Sequence, residues 1–151
     1  MKRDKILNSE LSYAIAKLGH GDLMIVCDAG FPIPEEVWRI DLALVQDVPD
    51  LETVLTAISE AYIAEKVAYA AEMAQNNPKL LEKVKRIFAS AEHATLAHSE
   101  ILGGVARQAK VIVRTGAFDP WGNILLYSGV DVPKWFSKEG TIAPDYYKDK
   151  L

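Results

Sequence analysis

Gly19-His20-Gly21-Asp22-Leu23-Met24-Ile25-Val26-Cys27-Asp28-Ala29-Gly30 is the stretch on which the fold turns. Five successive apolar residues lie between two polar, turn-prone segments, so residues 22–27 read as a buried strand. One imidazole and two carboxylates, those of His20, Asp22 and Asp28, bracket it. The ordinary pKa of histidine lies nearest neutral pH, which suits it to proton transfer. Strand ends and turns on a rigid α/β scaffold are where such groups are displayed. A plainer account also fits: a histidine at a helix end and two turn-forming aspartates. Composition alone favours the plainer account.

Working outward, Asn8 and Ser9 can cap a helix with Leu11, Ile15 and Leu18 on one face, and Gly19 stops it. Pro32 and Pro34 make the next segment extended or turning. A second apolar run covers 40–45, after Trp38 and Arg39. Asp50 is an N-cap for a helix burying Leu51, Val54, Leu55 and Ile58. Segment 61–74 is ambiguous: its Ala and Glu content favours helix, while Ile63, Glu65, Val67 and Tyr69 alternate as on one strand face. Asn77-Pro78 opens another helix, with Leu81, Val84 and Phe88 in its stripe. A short strand over 94–97 leads to His98, and Ser99 with Glu100 opens a helix to about residue 109. Strands follow over 111–113 and 124–130, separated by a turn-rich loop. Strands alternating with helices indicate a single-domain α/β sandwich.

A chain of 151 residues, half of them apolar, is long enough for one domain with a real core. The net charge of -4 comes with no basic stripe, so no nucleic acid partner is expected; Lys83, Lys85 and Arg86 read as a solvated helix face beside Glu82. Cys27, the single cysteine, can form no internal disulfide and reads as a buried inert thiol. Neither a secretory h-region nor a run of membrane-spanning length is found, which gives a cytoplasmic reading with no membrane partner. GxGxxG, P-loop, HExxH, CxxC and GxSxG motifs are missing, and Gly103-Gly104 reads as close helix packing. His20, His93 and His98 form no i, i+4 pair, so no metal site is assigned. His93 falls in a polar connection and is read as exposed. His98 falls where a strand meets a helix N-terminus, a place that can hold a ligand oxygen, and both a structural and a functional role stay open. Asp119-Pro120-Trp121-Gly122-Asn123 is a turn. It also pairs an aromatic plate with an amide, which suits a sugar; the alternative is Trp121 covering the core edge. After residue 130, Trp135, Phe136, Tyr146 and Tyr147 lie in a polar segment without periodicity, and such aromatics call for packing on their own subunit or a neighbour.

Several of these motifs agree on one resemblance. Asn8-Ser9-Glu10-Leu11, Leu18-Gly19-His20-Gly21-Asp22, the run Cys27-Asp28-Ala29-Gly30-Phe31-Pro32-Ile33-Pro34, and Arg39-Ile40-Asp41-Leu42-Ala43-Leu44 resemble the D-ribose pyranase / L-fucose mutarotase family, closest to its ribose branch. Val113-Arg114-Thr115-Gly116 and Asn123-Ile124-Leu125-Leu126 continue the likeness, which covers about residues 5–131. It implies a three-layer α/β/α sandwich with a mixed sheet over 1–131 and an extension over 132–151. It implies a cofactor-free isomerase that interconverts pyranose and furanose forms, or anomers, of a free sugar such as D-ribose. By resemblance His20 is the catalytic acid, Asp28 and His98 bind the sugar, and Trp121, Gly122 and Asn123 form the sugar-contacting element. Asp22 is a possible support that orients His20. The family assembles into rings, commonly homodecamers, with the site at a subunit interface. This chain has Trp121 where the family usually has tyrosine, so an indole N–H replaces a phenol. It has Leu102 where the ribose branch tends to have lysine. A non-catalytic sugar-binding or regulatory protein on the same fold is the alternative.

Geometry constrains the reading. Five strand residues span about 17 Å at roughly 3.3 Å each. His20 and Asp28, at opposite ends of one strand, cannot share a small sugar. Either the glycines fold His20 back, or a neighbouring subunit completes the site.

Overall fold

The computed structural model describes residues 1–3 and 5–151. Its strands are β1 (Leu23–Cys27), β2 (Trp38–Asp41), β3 (Ala64–Ala70), β4 (Glu92–Leu96), β5 (Val111–Arg114) and β6 (Ile124–Ser128). They form one sheet in the order β2-β5-β1-β6-β3-β4. β1 and β2 run parallel to β5, β3 runs parallel to β4, and β6 is antiparallel to its neighbours β1 and β3. Five strands therefore share a direction and β6 alone is reversed. The sheet has an N-terminal rim, where the five begin, and a C-terminal rim, where they end.

β1 is buried along its whole length and its side chains divide by parity. Met24 and Val26 join Ile40, Val67, Val111, Val113, Ile124 and Leu126 on one face. That face is covered by α1 (Ser9–Lys17), α2 (Leu51–Ser59) and α4 (Pro78–Ile87), through residues such as Leu11, Leu55, Ile58 and Val84. Leu23, Ile25 and Cys27 face the other way, with Ala68, Ala70, Ile112 and Leu125, under Phe31, Val37, Ala106 and Ile101 of α5 (His98–Leu102). Two cores on opposite faces of one mixed sheet make the three layers that were expected. Each large aliphatic side chain removed from water here contributes about 1.5–3 kcal/mol. The helix caps fall where the sequence puts them: Asn8 accepts from the Leu11 N–H at 2.8 Å, Asp50 from Thr53 at 2.7 Å and Asn77 from Leu80 at 3.4 Å. Among the described residues no helix is long and apolar enough to cross a membrane.

Four segments differ from their sequence reading. Segment 61–74 holds β3, then α3 (Met73–Asn76), because pairing with both β6 and β4 overrides its helix propensity. The second apolar run supplies only Ile40 and Asp41 to β2, which begins at Trp38, and Leu44 and Val45 stand out into solvent. The helix after His98 stops at Leu102; Gly103-Gly104 breaks it, and a 3₁₀ turn, Val105–Gln108, follows. The segment after residue 130 forms α6 (Val132–Phe136), capped by Asp131, and a 3₁₀ stretch, Asp145–Lys150. Val132 is buried, and the rings of Phe136 and Tyr147 lie 5.8 Å apart.

Candidate active site

At the C-terminal rim, Asp28 follows the last residue of β1. Its Oδ1 accepts the Gly30 N–H at 2.7 Å, which shapes the turn. The Ala29 N–H donates to the Ala117 carbonyl at 2.9 Å, and the Thr115 hydroxyl donates to the Cys27 carbonyl at 2.8 Å. Arg114, the last residue of β5, donates from Nε to the Ala29 carbonyl and from one terminal nitrogen to both Asp41 oxygens, all at 3.0 Å. The ends of β1, β2 and β5 are thereby tied into one frame. Burial pushes the Asp28 carboxyl above the ordinary carboxylate range; the Gly30 N–H and the nearby His98 partly offset this. Asn123 is buried, and with its amide nitrogen turned towards Asp28 it donates to Oδ2 at 3.1 Å and to the Gly122 carbonyl at 3.2 Å. A cavity of about 410 Å³ opens here, walled by Asp28, Gly30, Arg114, Phe118, Asp119 and Pro120 among others. Burial and the neighbouring Asp47 also push Asp119 up. The outer lip is apolar: Phe118, Leu44 and Val45 are mostly exposed beside it.

At the N-terminal rim, Gly21 has φ +82°, and its N–H donates to the Ser128 carbonyl at 2.8 Å. Asp22 Oδ2 accepts the Gly19 N–H at 2.9 Å. These bonds present His20 outward, with its Nε2 2.9 Å from Glu65 Oε2. Tyr62 lies behind, with its hydroxyl donating to the Leu126 carbonyl at 3.2 Å and 2.7 Å from Ser128 Oγ; burial pushes its phenol up to about 12.

A search against family models matches residues 1–131 to the RbsD / FucU transport protein family. The chain belongs to that family. Relatives in the RbsD/FucU family include D-ribose pyranase 2 of Rubrobacter xylanophilus, 56% identical over 150 residues, spanning 99% of this chain and 97% of the relative. D-ribose pyranase 1 of Streptomyces griseus is 51% identical over 151 residues and spans both chains completely. Among solved structures, Bacillus subtilis RbsD complexed with D-ribose superposes with a TM-score of 0.82 at 36% identity, covering 86% of this chain and 98% of that one.

Within this RbsD/FucU chain, the residues expected to form the site divide between the rims. Asp28 and Asn123 touch, Gly122 supplies a carbonyl to the same amide, and His98 lies within electrostatic reach of Asp28. Gly122 sits where an added Cβ would lie 2.8 Å from the Asp119 carbonyl, so the turn closes only around a glycine. Trp121 has φ +57°, a strained conformation for a bulky residue, and packs half-buried against both cores, so it does cover the core edge. His98, Trp121 and Asn123 do not line the 410 Å³ cavity. His20 stands at the other rim, about 17 Å of strand away. The glycines beside it turn the chain without folding the imidazole back towards Asp28.

Three expectations need correction. Asp22 does not bond the His20 ring: its Oδ2 accepts the Gly19 N–H, and the group within hydrogen-bond distance of the imidazole is Glu65. The backbone N–H of His98 is not open to a ligand oxygen, because both oxygens of Glu72 accept it, at 3.2 and 3.1 Å. His93 is not an exposed connector: it lies within β4, half-buried, with Nε2 3.0 Å from the Phe88 carbonyl. The sequence reading missed Glu65 and Glu72, both inside the ambiguous segment 61–74, and it gave Arg114 no role beyond a motif letter. The alternation of Ile63, Glu65, Val67 and Tyr69 was the available signal for Glu65.

Proposed function

We propose that this chain interconverts the pyranose and furanose forms of free D-ribose, or of a closely related sugar, at a site built by two copies. The sugar class rests on the two relatives named D-ribose pyranase, which match across the whole chain, and on the likeness to an RbsD complexed with D-ribose. The shared site rests on one observation: Asp28 and His20 occupy opposite rims of the same sheet, while the Asp28 cavity is lined by exposed Phe118, with exposed Leu44 and Val45 in an adjoining hollow. An apolar collar beside an incomplete polar site suits a second copy of the chain. Ring assembly, the decamer among its forms, supplies such a neighbour, and the neighbour's His20 completes the cavity.

In this reading the pyranose opens when solvent water takes the anomeric O–H proton and the ring oxygen gains one from His20, as the bond from the anomeric carbon to the ring oxygen breaks. Reclosure through a different hydroxyl gives the furanose. His20 supplies the ring-oxygen proton. Asp28 holds a hydroxyl, Asn123 fixes that carboxylate through its amide, and His98 and Trp121 stand outside the cavity wall. No step calls on a metal, a redox cofactor or a covalent intermediate. The test is complementation. His20→Ala and Asp28→Asn each abolish accelerated exchange in saturation-transfer NMR of ribose, and co-assembly of the two variants restores a fraction of it. Failure of mixed assemblies to recover any activity refutes the shared site. Tight ribose binding by the unaltered protein without faster exchange refutes catalysis and leaves a sugar-binding protein.

A further inference from the structure

Between Ala64 and Lys66 the β3–β6 register slips: Ala64 lies opposite Ser128, yet Lys66 lies opposite Tyr127. Glu65 is the extra residue of this bulge. Bulges re-aim side chains, and this one turns the Glu65 carboxylate to His20. Gly129 makes room for it, since a Cβ there would lie 2.9 Å from Glu65 Cβ and 3.1 Å from Ile63 Cγ2. The same carboxylate oxygen has a cation near it. Lys150 Nζ lies 3.9 Å from Glu65 Oε2 and 5.8 Å from the centre of the Tyr147 ring. Tyr147 in turn packs on Tyr146, with ring centres 4.7 Å apart, and on Phe136. The extension over 132–151 thus leaves β6 at the N-terminal rim, anchors through buried Val132, and returns a lysine to the acid that holds His20. The family match ends at residue 131, whereas the Rubrobacter and Streptomyces relatives align through almost all of this chain.

We infer that Glu65 is a positioning residue for His20 and that the C-terminal extension, through Lys150, is the brace that holds Glu65 in place. The inference rests on the proposed role of His20. A carboxylate only accepts, so Nε2 of His20 carries the hydrogen facing Glu65, and Nδ1 is the nitrogen that exchanges a proton with the sugar. Protonated His20 gives its Nδ1 hydrogen to the ring oxygen and is left neutral, with its remaining hydrogen on Nε2 against Glu65. Without the carboxylate the ring can turn and the neutral tautomer can change; without Lys150 the carboxylate loses its second anchor.

The experiment combines ribose exchange kinetics with ¹⁵N spectroscopy of the His20 ring in the full chain. Glu65→Gln is expected to lower kcat by about 10- to 100-fold with little change in KM, because geometry and tautomer fail together. It is also expected to shift the ring from the Nε2–H pattern to a tautomer mixture. Lys150→Met, at an exposed site that does not threaten folding, is expected to give the same spectral shift in part and a loss of about two- to fivefold. Glu65→Asp recovers part of both readouts. An unchanged His20 ring spectrum and unchanged kcat in Glu65→Gln overturn the positioning role; the same result in Lys150→Met overturns the brace. If His20→Ala keeps full exchange, the reading of His20 itself fails, yet the ring spectra still report whether Glu65 and Lys150 set its tautomer.

Discussion

The two rims of the sheet are built on different physics. At the C-terminal rim, polar groups are withdrawn from water: Asn123 is 2% exposed, burial raises Asp28, Asn123 bonds to Asp28, and Asp28 accepts the Gly30 N–H. At the N-terminal rim, the working pair is half in water, with His20 41% and Glu65 28% exposed. The first rim is a hydrogen-bonded frame around a cavity. The second is a presented group, whose surroundings one chain leaves unfinished. Under the proposed shared site, this division makes assembly a condition of function.

The sharpest way to break this contrast is at His20. His20→Ala is expected to slow ribose ring exchange by about 10²- to 10⁴-fold, the range of a lost general acid, with an unchanged melting temperature because the ring is partly exposed. A large loss of stability would instead make His20 part of the scaffold. Next comes the collar. Phe118→Asp is expected to leave a folded chain by circular dichroism while reducing its mass in sedimentation velocity, and exchange should fall with the assembly. Full activity from a monomer would end the shared-site reading. Gly129→Ala attacks the bulge, and overpacking there is expected to cost about 1–3 kcal/mol in denaturant unfolding. It should move the His20 ring resonances and leave those of His98 in place.

The smallest effect on stability comes from Asp28→Asn. The folded carboxyl holds its proton more tightly than in the unfolded chain. The stability Asp28 contributes is therefore complete in acid and is lost as pH rises through its raised value. The variant should match the parent at low pH and melt slightly higher at neutral pH, even though exchange is lost. A lower melting temperature at neutral pH would show that the bond to Gly30 outweighs desolvation.

Much of this was legible in the chain because local rules and global packing agreed. The five-residue apolar run, the caps at Asn8, Asp50 and Asn77, and the alternation of strands and helices all point to the fold that forms. Segment 61–74 was opaque for a physical reason. Ala68 and Ala70 of β3 are small because Ile101 of α5 shares their thin side of the sheet, and alanines in sequence resemble helix. Glu65 and Glu72 were hidden with them. Arg114 was opaque for a different reason, since its partner Asp41 lies 73 residues away.

The reversal of β6 has an architectural consequence. Because that strand runs against the others, the polypeptide passes Asn123 first and exits beside His20. Residues appended after β6 therefore begin at the His20 rim, at the opposite end of the sheet from the Asp28 cavity. The fold leaves room for this terminus to lengthen and touch Glu65 beside His20 while the Asp28–Asn123 frame stays as it is.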